Sequence, residues 1–135
     1  VAGSGWYDHE YGGEKSTTED RGSFAWQWMS LQLDDGCDVS CTELFDGDEC
    51  VDRSMLLIQS DGSRVEHPGP SIEVTRTYIS TRTTKVFPVE WTLHCPRTGL
   101  RLQLSAVRDD QEVVSMLSPP SYWEGAVTVT GTHGV

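Results

Sequence analysis

Basic residues are scarce in this sequence, and features that define several large functional classes are missing. Lys and Arg together number 10 against 21 Asp and Glu, which gives a formal net charge of −11. Binding to nucleic acid or to an anionic membrane needs clustered Lys and Arg, so this balance argues against both partners. The sequence also lacks an apolar stretch of the ~18 residues that a membrane-spanning helix requires, so we expect no membrane span.

Sequence motifs for common catalytic mechanisms are absent as well. There is no Gly-x-Ser-x-Gly, no Gly-rich phosphate loop and no Gly-x-Gly-x-x-Gly. No two His have strand or helix spacing and no Cys-x-x-Cys occurs, so the pattern predicts no metal site. The four Cys favour free thiols, and the alternatives are a Cys41–Cys50 bridge across a turn or a metal cluster.

Length and composition indicate one folded unit. The chain of 135 residues fits a single domain over residues 1–135, and 36% hydrophobic content with five Trp excludes a disordered acidic tail. Residues 1–5 lack the charged and apolar regions of a signal peptide, which favours a cytoplasmic location.

Short alternating segments separated by turn signals indicate an all-β domain. Asp-Gly between alternating segments predicts β-hairpins. In residues 24–33 both faces of the predicted strand are apolar, which predicts cover on each side for part of its length. Only residues 106–117 are compatible with a short helix, and Asp109-Asp110-Gln111 equally indicates a turn there. About eight strands joined in sequence predict an antiparallel up-and-down β-barrel, or a sandwich close to one. The turn signals are Asp34-Asp35-Gly36, Asp46-Gly47-Asp48, Ser60-Asp61-Gly62-Ser63, Pro68-Gly69-Pro70, Pro96-Arg97-Thr98-Gly99 and Ser118-Pro119-Pro120.

The densest polar and aromatic cluster begins at Trp6, and it supplies the candidate catalytic residues. In a strand, Asp8 and His9 point to opposite faces, so a partner of His9 must come from another strand. Glu90 and His94 are residues of the required kind. A carboxylate shielded by indole rings acquires a raised pKa and can act as a general acid. In the alternative interpretation, these carboxylates bind loop amides at a barrel rim. The predicted catalytic residues are Asp8, His9 and Glu10.

Aromatic side chains are the candidate substrate contacts, because flat rings suit an apolar ligand in a pocket. The alternative is that they fill the core of a small barrel. The predicted substrate-binding residues are Trp6, Tyr7, Trp26, Trp28, Trp91, Tyr122 and Trp123.

Several segments, in order along the chain, resemble the second lipocalin-like domain of the AttH-type family. That family includes carotenoid hydratases (hydroxyneurosporene synthases) and fungal Diels–Alderases that form decalin rings. Family members carry a preceding β-domain and a further closing strand, and neither is found in these 135 residues. The segments are residues 4–12, Trp26-Gln27-Trp28, residues 31–36, residues 87–91, residues 99–102, Asp110-Gln111-Glu112 and residues 122–127.

The resemblance implies a lipocalin-like calyx and cofactor-free chemistry on an apolar terpenoid or polyketide-derived substrate. The implied reactions are pericyclic cyclisation, isomerisation and hydration, with Asp8 and His9 as proton donors by position. Two alternatives remain open: a non-catalytic carrier of a small apolar metabolite, and a structural half of a two-domain enzyme. The second would need another β-domain or another chain to complete the site.

Overall fold

The computed structural model describes residues 24–114 and 121–134, and within these ranges the regular secondary structure is almost entirely β-strand. The other regular element in these ranges is a 3-10 turn at Pro96–Thr98. In the same ranges, no helix has the length and apolar character needed to cross a bilayer. The strands are β1 (Phe24–Gln32), β2 (Asp38–Asp46), β3 (Glu49–Ile58), β4 (Arg64–Pro68), β5 (Ser71–Ile79), β6 (Val86–Cys95), β7 (Leu100–Ala106), β8 (Glu112–Val113), β9 (Tyr122–Trp123) and β10 (Val127–Thr132).

The strands form two four-stranded antiparallel sheets and one small hairpin. The first sheet has the order β1-β2-β3-β4, and the second sheet has the order β10-β7-β6-β5. Gly69 and Pro70 connect β4 to β5, so the chain passes from one sheet to the other there. The β8–β9 hairpin is inserted between β7 and β10. The predicted antiparallel all-β class is confirmed, and between the described strands the two sheets share no pairing that closes a barrel.

The predicted Asp-Gly turns form because glycine accepts the left-handed backbone that tight turns require. Gly36 and Gly62 have φ angles of 82° and 83°. The preceding aspartates strengthen both turns: Asp35 Oδ1 accepts from the Cys37 amide at 2.9 Å, and Asp61 Oδ1 accepts from the Ser63 amide at 2.8 Å. The region around Asp109-Asp110-Gln111 is a turn leading into β8, and no helix forms in residues 106–114.

The hydrophobic core lies between the inner faces of the two sheets. Strand β6 shows the alternation predicted from its sequence, with every second side chain buried from Phe87 to Cys95. The core residues of the first sheet and its β1–β2 turn are Leu31, Cys37, Val39, Cys41, Met55 and Leu57, and those of the second sheet are Trp91, Leu93, Cys95, Leu100, Leu102 and Leu104.

Strand β1 departs from the sequence-based expectation. Leu31 is buried and Met29 and Leu33 pack against the core, as an inner face should. Trp26 and Trp28 occupy the opposite face and are 70% and 38% exposed. The prediction that both faces of this strand are covered is therefore wrong for the described residues, because β1 is an edge strand whose outer face receives no second layer there.

All four cysteines are free thiols, and Cys37, Cys41 and Cys95 are buried. The β2–β3 register places Cys50 opposite Phe45 and Cys41 opposite Met55. The alternative Cys41–Cys50 bridge is therefore wrong, since the two residues do not face each other across the hairpin.

Candidate functional site

The predicted catalytic residues Asp8, His9 and Glu10 lie outside the described residues, as do Trp6 and Tyr7. Their roles stay predictions. The two residues suggested as partners for His9 are on the outer face of β6, since Glu90 and His94 alternate with the buried Trp91, Leu93 and Cys95.

Two of the predicted aromatic residues meet in the structure. The rings of Trp91 and Trp123 lie 5.8 Å apart between centroids at an interplanar angle of 59°, a favourable tilted arrangement. Trp91 is 6% exposed, and within the described residues its Nε1 has no hydrogen-bond partner. Trp123 donates from Nε1 to the backbone oxygen of Asp109 at 2.8 Å.

The other predicted aromatic residues do not join this pair. Trp26 and Trp28 lie on the outer face of the first sheet, and Tyr122 is 51% exposed beside Trp123 on β9. A single ring of aromatic side chains around one pocket is therefore not formed by the described residues. Their roles as substrate contacts stay predictions.

Two shallow grooves cross the outer face of the second sheet, with volumes of about 350 and 400 Å³. Thr92, Gln103 and Thr130 line both of them. His94 and Arg101 line the first groove, where polar side chains dominate the outer face. Both grooves are open to solvent, unlike the enclosed site expected for a small apolar molecule.

A buried carboxylate on the inner face of the first sheet is the strongest candidate for a functional group, and our sequence analysis did not identify it. Glu43 is 2% exposed and shares the buried face of β2 with the core residues Val39 and Cys41. Gln27 Nε2 and Arg53 Nε each donate a hydrogen bond to its carboxylate. The strand register explains the contact, since Gln27, Glu43 and Arg53 stand directly opposite one another on three adjacent strands.

The position of Arg53 depends on a close approach of backbone from the β4–β5 connection. The Gly69 amide donates to the Arg53 carbonyl at 3.2 Å. A Cβ at Gly69 would come within 2.1 Å of Arg53 Cγ and 2.8 Å of Cδ, so no larger residue fits without displacing this side chain. The Arg53 side chain remains 36% exposed, which makes this end of the inner face accessible to solvent.

A second buried carboxylate, that of Glu112, links the β8–β9 hairpin to the turn between β5 and β6 through hydrogen bonds. Glu112 accepts hydrogen bonds from the hydroxyls of Ser80, Thr83 and Ser121 at 2.5, 2.6 and 2.6 Å. Arg82 Nε lies 3.9 Å away. Burial opposes ionisation, but the three hydroxyls and the nearby guanidinium together lower the pKa of Glu112 to about 2.

A third network joins β5, β6 and the segment before β8. Arg76 donates to Glu90 Oε1 at 2.7 Å, and its two terminal nitrogens donate to the Asp109 carboxylate at 2.6 and 2.8 Å. This paired geometry is the strong form of a guanidinium–carboxylate contact, and it lowers the pKa of Asp109. Because Trp123 binds the Asp109 carbonyl, the network also positions Trp123 over Trp91.

One cluster contains ligand types suited to a metal ion. Single donor atoms of Asp35, Cys37 and His133 all lie within 4.8 Å of one another.

The antiparallel meander with an inward-facing polar cluster defines a protein of the lipocalin-like all-β class. The AttH-like family model matches residues 1–135, and the chain belongs to that family.

Related proteins match most of this chain in sequence or in structure. Kievitone hydratase of Fusarium solani subsp. phaseoli is 27% identical over 131 residues, covering 94% of this chain and 35% of that protein. The crystal structure of an AttH protein from Nitrosomonas europaea aligns with a TM-score of 0.73 at 28% identity, covering 88% of this chain and 38% of the other. The structure of kievitone hydratase from Nectria haematococca gives a TM-score of 0.69 at 22% identity, covering 87% and 36%. The chain thus spans little more than a third of the length of these relatives.

Proposed function

We propose that this chain forms part of a hydratase-type enzyme that adds water to a carbon–carbon double bond of an apolar substrate. The observation that carries the proposal is the inward-facing cluster of Glu43, Arg53 and Gln27 on an otherwise apolar inner face. A carboxylate is costly to bury on an apolar face unless it is paired, so its presence there suggests a functional use of the cluster. The similarity to kievitone hydratase supports the reaction class.

Hydration requires a proton on one alkene carbon, a water oxygen on the other, and removal of a proton from that water. Asp8 and His9 are the proposed proton donors, with Glu10 as a further acid of the same segment. The resemblance to hydratase members points to this segment, and its neighbouring rings favour a protonated carboxyl. Arg53 and Gln27, held by Glu43, are placed to bind a polar atom of the substrate and orient its double bond.

The proposed substrate contacts include the Trp91–Trp123 pair. An unpaired buried donor costs about 1–3 kcal/mol, so the Trp91 indole N–H is expected to find its acceptor in a ligand or in residues outside the described ranges. Trp6, Tyr7, Trp26, Trp28 and Tyr122 remain proposed contacts as well. For Trp26 and Trp28 this requires a second layer over the outer face of β1.

The test is to incubate the full-length protein with a lipophilic extract of its source organism in ¹⁸O-labelled water and to follow products by mass spectrometry. We expect a product heavier by one labelled water. Asp8→Asn or His9→Ala should lower the rate about 100-fold with substrate binding retained, as for the loss of a general acid. Glu43→Gln, which weakens the contacts that hold Arg53 and Gln27, should also lower the rate. Glu49→Gln, at an exposed position in the β2–β3 hairpin, is its matched control and should leave the rate unchanged.

Other outcomes contradict hydration in distinct ways. A product of unchanged mass and altered chromatographic retention indicates the cyclisation or isomerisation known in the family. A ligand recovered unaltered indicates a carrier.

A second candidate function is that of a structural half whose partner β-domain holds the chemistry. The exposure of Trp26 on an edge strand favours it, because a free surface seldom presents an indole to this extent without a covering layer. In that case Asp8→Asn and His9→Ala leave the rate of the full-length protein unchanged.

A further inference from the structure

Three potential metal ligands from opposite ends of the described chain meet at one corner of the molecule. Asp35 and Cys37 lie in the turn between β1 and β2, and His133 follows β10. His133 Nδ1 lies 2.7 Å from Asp35 Oδ2, and the three donor atoms are within 4.8 Å of one another. Thiol sulfur, imidazole nitrogen and carboxylate oxygen are together a ligand set that Zn²⁺ accepts and that Ca²⁺ and Mg²⁺ do not.

The backbone holds each donor in place. In the β1–β2 turn, the Leu33 amide donates to the Cys37 carbonyl at 2.8 Å, and Gly36 adopts a φ of 82°. The Cys37 amide in turn orients the Asp35 carboxylate. On the other side, the Gly134 amide donates to the Thr98 carbonyl at 3.3 Å, which fixes the chain next to His133. Donors positioned in this way lose little conformational freedom when a metal binds.

The burial of the donors suits a metal site with one accessible side. Cys37 is 8% exposed and the His133 side chain is 14% exposed, whereas the Asp35 side chain is 47% exposed. An ion can therefore enter past the carboxylate and reach a shielded thiol. The formal net charge of −11 raises the local concentration of cations around the whole chain.

We propose that Asp35, Cys37 and His133 bind a Zn²⁺ ion, with a water molecule as the fourth ligand. Tetrahedral zinc with bonds of ~2.0–2.3 Å separates its ligand atoms by ~3.3–3.6 Å, so the 2.7 Å contact between His133 and Asp35 must open by roughly 0.6–0.9 Å. On binding, the Cys37 thiol releases its proton to solvent and His133 binds as the neutral ring. The ion then links the first turn of the first sheet to the end of β10 in the second sheet.

The structural consequence is a cross-link between sheets that have no strand pairing with each other in the described ranges. The sequence pattern had predicted no metal site, because the histidines lack the spacing of metal ligands within one strand or helix. The proposed ligands come instead from segments 98 residues apart, Asp35 and His133. The site is independent of the proposed hydration chemistry, so either proposal can fail while the other stands.

Cobalt titration provides the direct test, because Co²⁺ substitutes for zinc and reports thiolate ligation by absorption. Adding Co²⁺ to the purified chain, with the metal itself as the probe, should produce a near-ultraviolet thiolate-to-metal band and visible bands of tetrahedral intensity. Zn²⁺ should abolish all of them. Cys37→Ser should remove the thiolate band, and Cys50→Ser, which alters a free thiol on β3, should leave it unchanged.

Two further variants test the proposed site even if the Cys37→Ser protein does not fold. His133→Gln and Asp35→Asn change residues with exposed surface, and each should weaken Co²⁺ binding at least tenfold while circular dichroism stays native. Zinc should also raise the melting temperature of the wild type and not that of His133→Gln. The proposal is overturned if no thiolate band forms, if the band survives Cys37→Ser, or if His133→Gln binds Co²⁺ as tightly as the wild type.

Discussion

The two buried carboxylates of this domain, Glu43 and Glu112, are nearly equal in burial and opposite in surroundings. Their exposed fractions are 2% and 5%. Glu112 is enclosed by three hydroxyls at the junction of two hairpins, and its pKa of about 2 keeps it ionised at neutral pH. Glu43 lies on the inner face of a nine-residue strand, between an amide and a guanidinium.

The difference shows that burial alone does not identify a functional acid. The three hydroxyls around Glu112 belong to the chain, so the Glu112 carboxylate has its hydrogen-bond partners without a ligand. It therefore stabilises the contact between the two hairpins. The Glu43 cluster instead holds an arginine side chain that is 36% exposed to solvent. We interpret Glu112 as a residue of stability and Glu43 as a residue that positions Arg53 and Gln27.

Arg53→Met should produce the largest change, because it breaks the Glu43 cluster and leaves a carboxylate 2% exposed without its cation. Removing one partner of a buried ion pair typically costs several kcal/mol, and we expect the free energy of unfolding to fall by about 3 kcal/mol. Urea denaturation of both proteins measures the difference.

Arg64→Met provides the control, since Arg64 is an exposed residue of β4. This substitution should change the free energy of unfolding by no more than about 0.5 kcal/mol. The double variant Glu43→Gln/Arg53→Met should recover part of the loss, because no uncompensated charge is then buried. An Arg53→Met protein as stable as Arg64→Met would mean that the Glu43 carboxylate does not depend on this ion pair.

Gly69→Ala tests the same cluster indirectly and should have a smaller effect. The added Cβ would meet Arg53 Cγ at 2.1 Å, so the arginine side chain must move away from Glu43. Overpacking of this kind costs about 1–2 kcal/mol. The matched variant is Gly47→Ala, whose added Cβ has open space around it. Its expected cost is the backbone strain of a non-glycine residue at a φ of 60°. Adding Gly69→Ala to Arg53→Met should lower the free energy of unfolding little further than Arg53→Met does by itself. If the two losses were fully additive, Gly69 and Arg53 would affect stability independently.

Much of the fold could be predicted from the sequence because its signals are local. Asp35-Gly36 and Asp61-Gly62 form turns since glycine adopts the required positive φ. The alternation in β6 identified a buried face because side chains of a strand point to opposite sides. The exposure of Trp26 was not predictable in this way, because an apolar face does not reveal whether a second layer covers it.

The candidate site was harder to predict, for reasons that differ from residue to residue. Glu43 had a usable local signal, since it continues the alternation of Val39 and Cys41, and a carboxylate at such a position requires a partner. The partners themselves depend on strand register across three strands, which the sequence does not state. The approach of Asp35 and His133 depends on the tertiary fold alone, as does the contact between Trp91 and Trp123.

The pH dependence of stability distinguishes Glu112 from exposed carboxylates. Its pKa falls from 4.5 to about 2 on folding, so between these values the unfolded chain binds more protons than the folded one. Stability from this group is therefore complete above about pH 4.5 and is lost as the pH falls towards 2. Glu112→Gln should flatten this part of the profile, and the exposed Glu124→Gln should not.

The comparison between variants matters here, because Asp35, Asp61 and Asp109 also have a lowered pKa and contribute a background slope of the same sign. Subtracting the stability profile of Glu112→Gln from that of the wild type isolates the contribution of the Glu112 carboxylate and the hydroxyls that bind it. Thermal denaturation at intervals between pH 2 and 6 measures both curves. If the wild-type and Glu112→Gln profiles were parallel, ionised Glu112 would not stabilise the folded chain. Glu112 and Glu43 would then differ only in their positions in the fold.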